Sequence, residues 1–204
     1  DGVTLSNTYF FEKALQWRGI LIEMLPWFFP EIAKRRPDSL CFNCALSAES
    51  MKQLFLDAGD RSGLLRYLDR REIEYLEEHY RDQEPKPTFN LHWIETRPLM
   101  DIIEESGFDR INYFSLDVEG AELPIPKMID FARVHIDVFS IEDNAAQNQW
   151  RAYDQMLKPH GYTCIGGLGV DGFFIHERFR QRLLTQHGPG YLTEICKQLQ
   201  PFCG

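Results

Sequence analysis

The chain has 204 residues, 44% hydrophobic and 26% charged, an ordinary globular composition with room for one domain or a tight pair. Its 22 basic and 31 acidic residues leave a net charge of −9, which repels phosphate backbones and argues against a general nucleic-acid binder. No apolar run approaches the roughly 20 residues that span a bilayer; the most apolar stretch, Ile20 to Phe29, carries Glu23 and Pro26. Asp1 to Thr8 lacks a basic n-region, so no signal peptide is visible.

The cysteines, Cys41, Cys44, Cys164, Cys196 and Cys203, are odd in number and suggest no disulfide framework. Cys41 and Cys44 form a CxxC, but in a strand their odd offset points them to opposite faces, and no second CxxC completes a zinc site. Reduced cysteines and the absence of a visible signal favour the cytosol as the expected compartment.

Strand and helix patterns alternate along the chain. Ser6, or Thr8, is the expected N-cap of a helix running to about Trp17, with Phe10, Phe11, Ala14, Leu15 and Trp17 as its apolar stripe. Gly19 to Glu23 reads as a buried parallel strand. Trp27 to Arg36 is a second helix, Leu40 to Leu46 a strand, and Met51 to Asp57 a short extended piece. Asp60 to Gln83 is expected to be a helical insertion, within about 58–86, and its run Arg70, Arg71, Glu72, Glu74, Glu77 and Glu78 reads as a solvated face. Phe89 to Glu95 is extended, and Pro98 to Ser106 is a helix stopped by Gly107. Arg110 to Asp117 and Val134 to Ile141 are strands. Between them Ala121 to Phe131 reads as a helix, kinked or delayed by Pro124 and Pro126. Ala145 to Leu157 is the next helix. Tyr162 to Ile165 and Phe173 to His176 form an antiparallel hairpin, and a helical tail occupies about 178–204. These units predict a mostly parallel sheet with helices on both faces, in a single domain over 1–204.

In an open α/β sheet, ligands bind at the carboxyl ends of the strands. Glu23 ends the first strand, Asn43, Cys44 and Ala45 lie near the end of the next, and Asp117 with Glu119 ends RINYFSLD. Glu142, Asp143 and Asn144 end VHIDVFSI. A carboxylate such as Glu23 can accept both hydroxyls of a ribose, which points to an adenosine-type cofactor. The glycine fingerprint of dinucleotide folds and GxxxxGK[ST] are both absent, and Gly166, Gly167, Gly169 and Gly172 lie in a hairpin rather than before a helix. A nucleotide without phosphates, S-adenosylmethionine, fits this pattern.

The segments DGVTLSNTYFFEKALQWRGILIE (Asp1 to Glu23), NCALS (Asn43 to Ser47), SLDVEGAE (Ser115 to Glu122) and VFSIE (Val138 to Glu142) occur in this order. Together they resemble the FkbM family of S-adenosylmethionine-dependent methyltransferases, over roughly Asp1 to Glu177. The resemblance implies a Rossmann-like, class I methyltransferase three-layer sandwich closed by a C-terminal antiparallel hairpin. It implies that Asp1 and Gly2 belong to the first cofactor motif. Ser6 and Asn7 would stand at the start of the first helix, whose N–H groups would face the methionine carboxylate. Glu23 would hold the ribose, Met24 would flank the adenine, and Cys44, Ala45 and Leu46 would lie near that ring. Asp117 and Glu119 would lie beside the methionine end and the reacting methyl group. It also implies a central strand ahead of the Asp1–Gly2 pair, expected upstream of Asp1, because its loss would open a gap of roughly 9–10 Å in the sheet.

Methyl transfer from a sulfonium needs alignment and water exclusion, plus a base when the acceptor is a hydroxyl. Asp117 is the first candidate base and Glu142 the second. His135 lies early in its strand, His92 is an acceptor-side candidate or structural, and His160 and His176 read as structural. Asp117 with Asp143 and Asn144 also resembles the Mg²⁺ arrangement of catechol O-methyltransferase-like enzymes. The simpler expectation is that Asp143 and Asn144 cap the next helix, and no metal is assigned. The expected activity is O-methylation of a small-molecule or sugar hydroxyl, with a small-molecule or glycan acceptor held near Asp60 to Gln83, Trp93 and Trp150. A polyketide-like hydroxyl and an amine stay open. The alternatives are a non-catalytic protein-interaction domain on the same fold and, more weakly, a dinucleotide oxidoreductase.

Overall fold

In the computed structural model the chain is a mixed α/β protein whose strands lie in three sheets. The structure describes every residue except 1, 5, 59–61, 69, 83–88, 119, 144–148 and 200–204, together with the side chains of 71–73. The described residues gather into two units, one drawn from 1–107 and 118–121, the other from 108–117 and 122–204.

The first unit opens with helix α1 (Tyr9–Leu15), strand β1 (Ile20–Ile22), helix α2 (Phe29–Arg35) and strand β2 (Leu40–Phe42). β1 and β2 pair in parallel, Ile20 with Leu40 through Ile22 with Phe42. α1 stops earlier than its pattern predicts, because Gln16 turns left-handed at φ 57°. Its apolar stripe does not face inward: Phe10 and Leu15 are exposed, and the buried residue of the helix is Glu12. α2 ends before Pro37, as a helix must when the residue ahead of a proline is pushed out of the α region.

The LCFNCAL run breaks at Asn43 and Cys44, so that Ala45–Leu46 becomes a separate strand, β3. It joins β4 (Met51–Asp57), β5 (Gly63–Leu64) and β6 (Asn90–Arg97) in the order β3-β6-β4-β5. β4 is a full antiparallel partner of β6, from Met51 opposite Thr96 to Asp57 opposite Asn90. Alternation turns Phe55 and Ile94 to one face, where they pack with Ala45 and Leu64, joined by Met24, Leu25 and Tyr67. Helices α3 (Arg70–His79) and α4 (Leu99–Ser106) complete the unit's elements. Arg70, Glu74, Glu77 and Glu78 are exposed on α3, the solvated face expected of that charge run.

The second unit is a four-stranded sheet of β7 (Arg110–Leu116), β8 (His135–Glu142), β9 (Tyr162–Leu168) and β10 (Asp171–His176), in the order β7-β8-β10-β9. β7 and β8 are parallel, and β10 runs antiparallel to both β8 and β9, which forms the expected C-terminal hairpin. Helix α5 (Trp150–Leu157) buries Trp150, Tyr153 and Leu157, and α6 (Glu177–His187) and α7 (Gly190–Cys196) follow β10. Gly172 is required where it stands, since a Cβ there would lie 1.7 Å from the Trp150 ring.

Two fold expectations need correction. The strands do not form one mostly parallel sheet in a three-layer sandwich: three strand pairs are parallel and four antiparallel among the described residues. β1 with β2, β3 with β6 and β7 with β8 pair in parallel, while β4 with β5, β4 with β6 and the pairs made by β10 are antiparallel. The helix expected over Ala121 to Phe131 is replaced by turns and a short 3₁₀ segment, Pro126–Met128. Pro124 and Pro126 each remove a donor and crowd the preceding turn. Among the described residues no helix is long and apolar enough to cross a membrane, and Cys41, Cys44 and Cys196 are free thiols.

Candidate active-site residues in the two units

In the first unit, Glu23 follows β1 and Asn43 follows β2, side by side at the carboxyl ends of the two parallel strands. The Glu23 N–H bonds to the Phe42 carbonyl at 3.0 Å, and the Asn43 amide donates to the Glu23 carbonyl at 2.8 Å. The Leu25 N–H donates to Glu23 Oε1 at 2.7 Å, fixing the carboxyl group. Burial pushes this carboxyl above its ordinary pKa, against the pull of the Leu25 and Met24 N–H groups. Met24 packs against the cluster that contains Ala45. Cys44, Ala45 and Leu46 are buried, with burial also raising the Cys44 thiol, so their side chains serve the core of this unit.

Gly2, Ser6 and Thr8 are joined through one side chain. Arg36 is 1% exposed. It donates from Nε to Glu12 Oε2 at 2.7 Å, from one terminal nitrogen to the Gly2 carbonyl at 2.9 Å and Ser6 Oγ at 3.1 Å, and from the other to Thr8 Oγ1 at 3.3 Å. Ser39 donates to the same Glu12 oxygen, while Lys13 meets Glu12 Oε1 at 2.9 Å. Burial alone would raise the Glu12 carboxyl, but Ser39, Arg36 and Lys13 together hold it below its usual range. The helix N-cap position is Thr8 rather than Ser6, and Asn7 is exposed. Asp1 lies outside the described residues.

In the second unit, the carboxylates gather where β7 and β8 end. Asp117, Glu122 and Glu142 each present a carboxylate oxygen within 4.8 Å of the others; Asp117 is exposed and Glu122 buried. Asp171 stands opposite Glu142 in the β8–β10 register, and burial, reinforced by the charge of Asp117, raises its carboxyl. Tyr153 is buried beside this group, and its phenol is pushed upward by burial and then by Glu122, Asp143 and Glu142. Three oxygens at this spacing have the chemistry to take a proton from an acceptor or to hold a hard cation. Asp143 Oδ2 accepts the Gln149 N–H at 2.7 Å, and the N-cap position of α5 is Gln149 rather than Asp143. Glu119 and Asn144 lie outside the described residues.

Residues 1–164 match the family described as the methyltransferase FkbM domain. The chain belongs to the FkbM methyltransferase family. No curated protein and no solved structure matches it.

Sequence reasoning missed two charged centres of this FkbM domain protein. One is the Arg36–Glu12 pair, whose only sequence signal was a glutamate inside an apolar helix. The other is Asp137, fully buried in β8 and bound by Arg110 at 2.7 Å, Asn112 at 2.8 Å, His135 at 3.1 Å and Arg182 at 3.2 Å. Burial pushes Asp137 up, but Arg110, Asn112 and the Arg182 charge prevail and leave it below the usual carboxylate range. His176 accepts the Arg178 N–H at the start of α6, His160 stacks on Phe131, and His92 meets the Trp27 ring edge-on. Trp150 is core, whereas Trp93 is 66% exposed.

Proposed function

We propose that this FkbM family protein is an S-adenosylmethionine-dependent methyltransferase that methylates a hydroxyl of a small molecule or sugar. The observation that carries the reading is Glu23: a half-buried carboxyl at the end of a parallel strand, fixed by the Leu25 N–H and flanked by Asn43. That is where an acidic side chain accepts the paired hydroxyls of a ribose. The residues present suit the rest of the cofactor. Ser6 Oγ already accepts from Arg36 and from the Thr8 N–H, so its proton is left to donate to a carboxylate.

Bound there, the cofactor supplies an electrophilic methyl group on a sulfonium. Glu23 would accept from the ribose, Gly2 and Ser6 would serve the amino-acid end, and Met24 would supply apolar contact. Asp117, or Glu142 in its place, would take the proton of the acceptor's hydroxyl. Alignment of acceptor and methyl group would contribute to the acceleration. The test is methyl-labelled S-adenosylmethionine offered with a panel of sugars, small alcohols and amines. Transfer to a hydroxyl that Asp117→Asn loses supports the reading; transfer only to amines, or none by the folded protein, overturns it.

A further inference from the structure

An ion pair with Glu12 would ask for a single donor, yet Arg36 spends three further contacts on the segment that precedes α1: Gly2 O, Ser6 Oγ and Thr8 Oγ1. These acceptors are spread over seven residues of chain and are gathered by one planar group. The backbone approaches just as closely. A Cβ on Gly2, whose φ is +71°, would meet Ile32 Cγ2 at 3.2 Å and Arg36 Cγ at 3.5 Å. The guanidinium also lies 5.5 Å from the centre of the Tyr9 ring, at the first residue of α1. A lysine could meet Glu12, but its point charge cannot reproduce a fork that reaches several acceptors in fixed directions.

We propose that Arg36 is a positioning residue for cofactor binding: its guanidinium holds Gly2, Ser6 and Thr8 in place and, by occupying an acceptor site on Ser6, leaves that hydroxyl's proton to donate to an anionic group. This rests on the reading of Gly2 and Ser6 as cofactor residues. Arg36 itself touches neither cofactor nor acceptor in this account. Its contacts run from the C-terminal end of α2 to Gly2, Ser6 and Thr8.

The test compares Arg36→Lys with Glu12→Gln by calorimetric titration with S-adenosylhomocysteine and by amide hydrogen exchange. Arg36→Lys keeps a cation beside Glu12 but loses the fork. It should weaken binding about tenfold, the loss expected for hydrogen bonds to a charged group, and raise exchange across 3–8 while β1 and β2 keep their protection. Glu12→Gln lowers stability but leaves the Gly2, Ser6 and Thr8 contacts, so its affinity should stay near that of the wild type. Wild-type affinity and unchanged exchange in Arg36→Lys would overturn the proposal, as would an equal loss of affinity in both variants. If Arg36→Lys does not fold, Thr8→Val should weaken binding and Thr8→Ser restore it; equal affinities would overturn the proposal. A folded wild type that does not bind defeats the cofactor reading instead, and the exchange across 3–8 then judges Arg36 alone.

Discussion

Arg36 and Glu12 meet at 2.7 Å with their side chains 1% and 3% exposed, so each is the partner that makes the other's burial tolerable. Removing Arg36 leaves Glu12 with Lys13 and Ser39, and removing Glu12 leaves Arg36 buried without a carboxylate. Arg36→Met should therefore cost about 3–5 kcal/mol of unfolding free energy, and the paired Arg36→Met, Glu12→Met protein much less than the sum of the two single losses. Urea denaturation of the four proteins measures this directly.

Glu12 also sets an acid limit. Its folded pKa is lowered, so its ionisation favours the folded state at neutral pH. That contribution is complete above the ordinary glutamate range and disappears as pH falls through the depressed folded value. Asp137 is lowered as well and acts in the same direction in the second unit. Stability should decline below about pH 4, and Asp137→Asn should flatten part of that decline while reducing stability at pH 7 by about 3 kcal/mol or more. Thermal melts of both proteins from pH 3 to pH 7 check the pair of effects.

Glu23 titrates the other way. Burial raises its carboxyl, and only the ionised form is a full acceptor for ribose hydroxyls. Affinity for S-adenosylhomocysteine should fall as pH is lowered, beginning above the usual glutamate range. Glu23→Gln should bind weakly at every pH and lose that dependence.

Gly172 faces Trp150 so closely that any side chain must displace the indole. Gly172→Ala should destabilise the second unit by about 3 kcal/mol or more, beyond ordinary overpacking because the obstructing ring is itself wedged in the core. Trp150→Leu in the same protein should recover part of the loss. Circular dichroism melts of the single and double variants decide this.

Asp117 and Glu142 divide the base function in this account. Asp117→Asn should lower kcat by about 100-fold or more, in the range of lost general-base catalysis. Glu142→Gln should have the smaller effect, and both should remain folded because these side chains are not fully buried. Steady-state kinetics on the best acceptor from the panel measures the ranking.

The local elements were legible where one signal dominated. Gly107 closes α4 in the left-handed region, and Asn90–Arg97 alternates as its residues require. Glu23, Asp117 and Glu142 stand at strand ends because an apolar body followed by a polar residue marks that place. What escaped was non-local. Arg36 finds Glu12 across 24 residues and Gly2 across 34, and Arg182 reaches Asp137 across 45; no periodicity encodes such partners. Phe10 and Leu15 read as a core stripe only because hydrophobicity was weighed without the buried ion pair that occupies the inner face of α1. The 121–131 segment was misread because its apolar spacing was given more weight than two prolines.

The measurement that tests the central claim most directly is calorimetric titration of S-adenosylhomocysteine into the protein, beside Glu23→Ala with its fold verified by circular dichroism. The account predicts micromolar, one-to-one binding that the variant loses. Absence of binding by the folded protein, or equal binding by both, would contradict it.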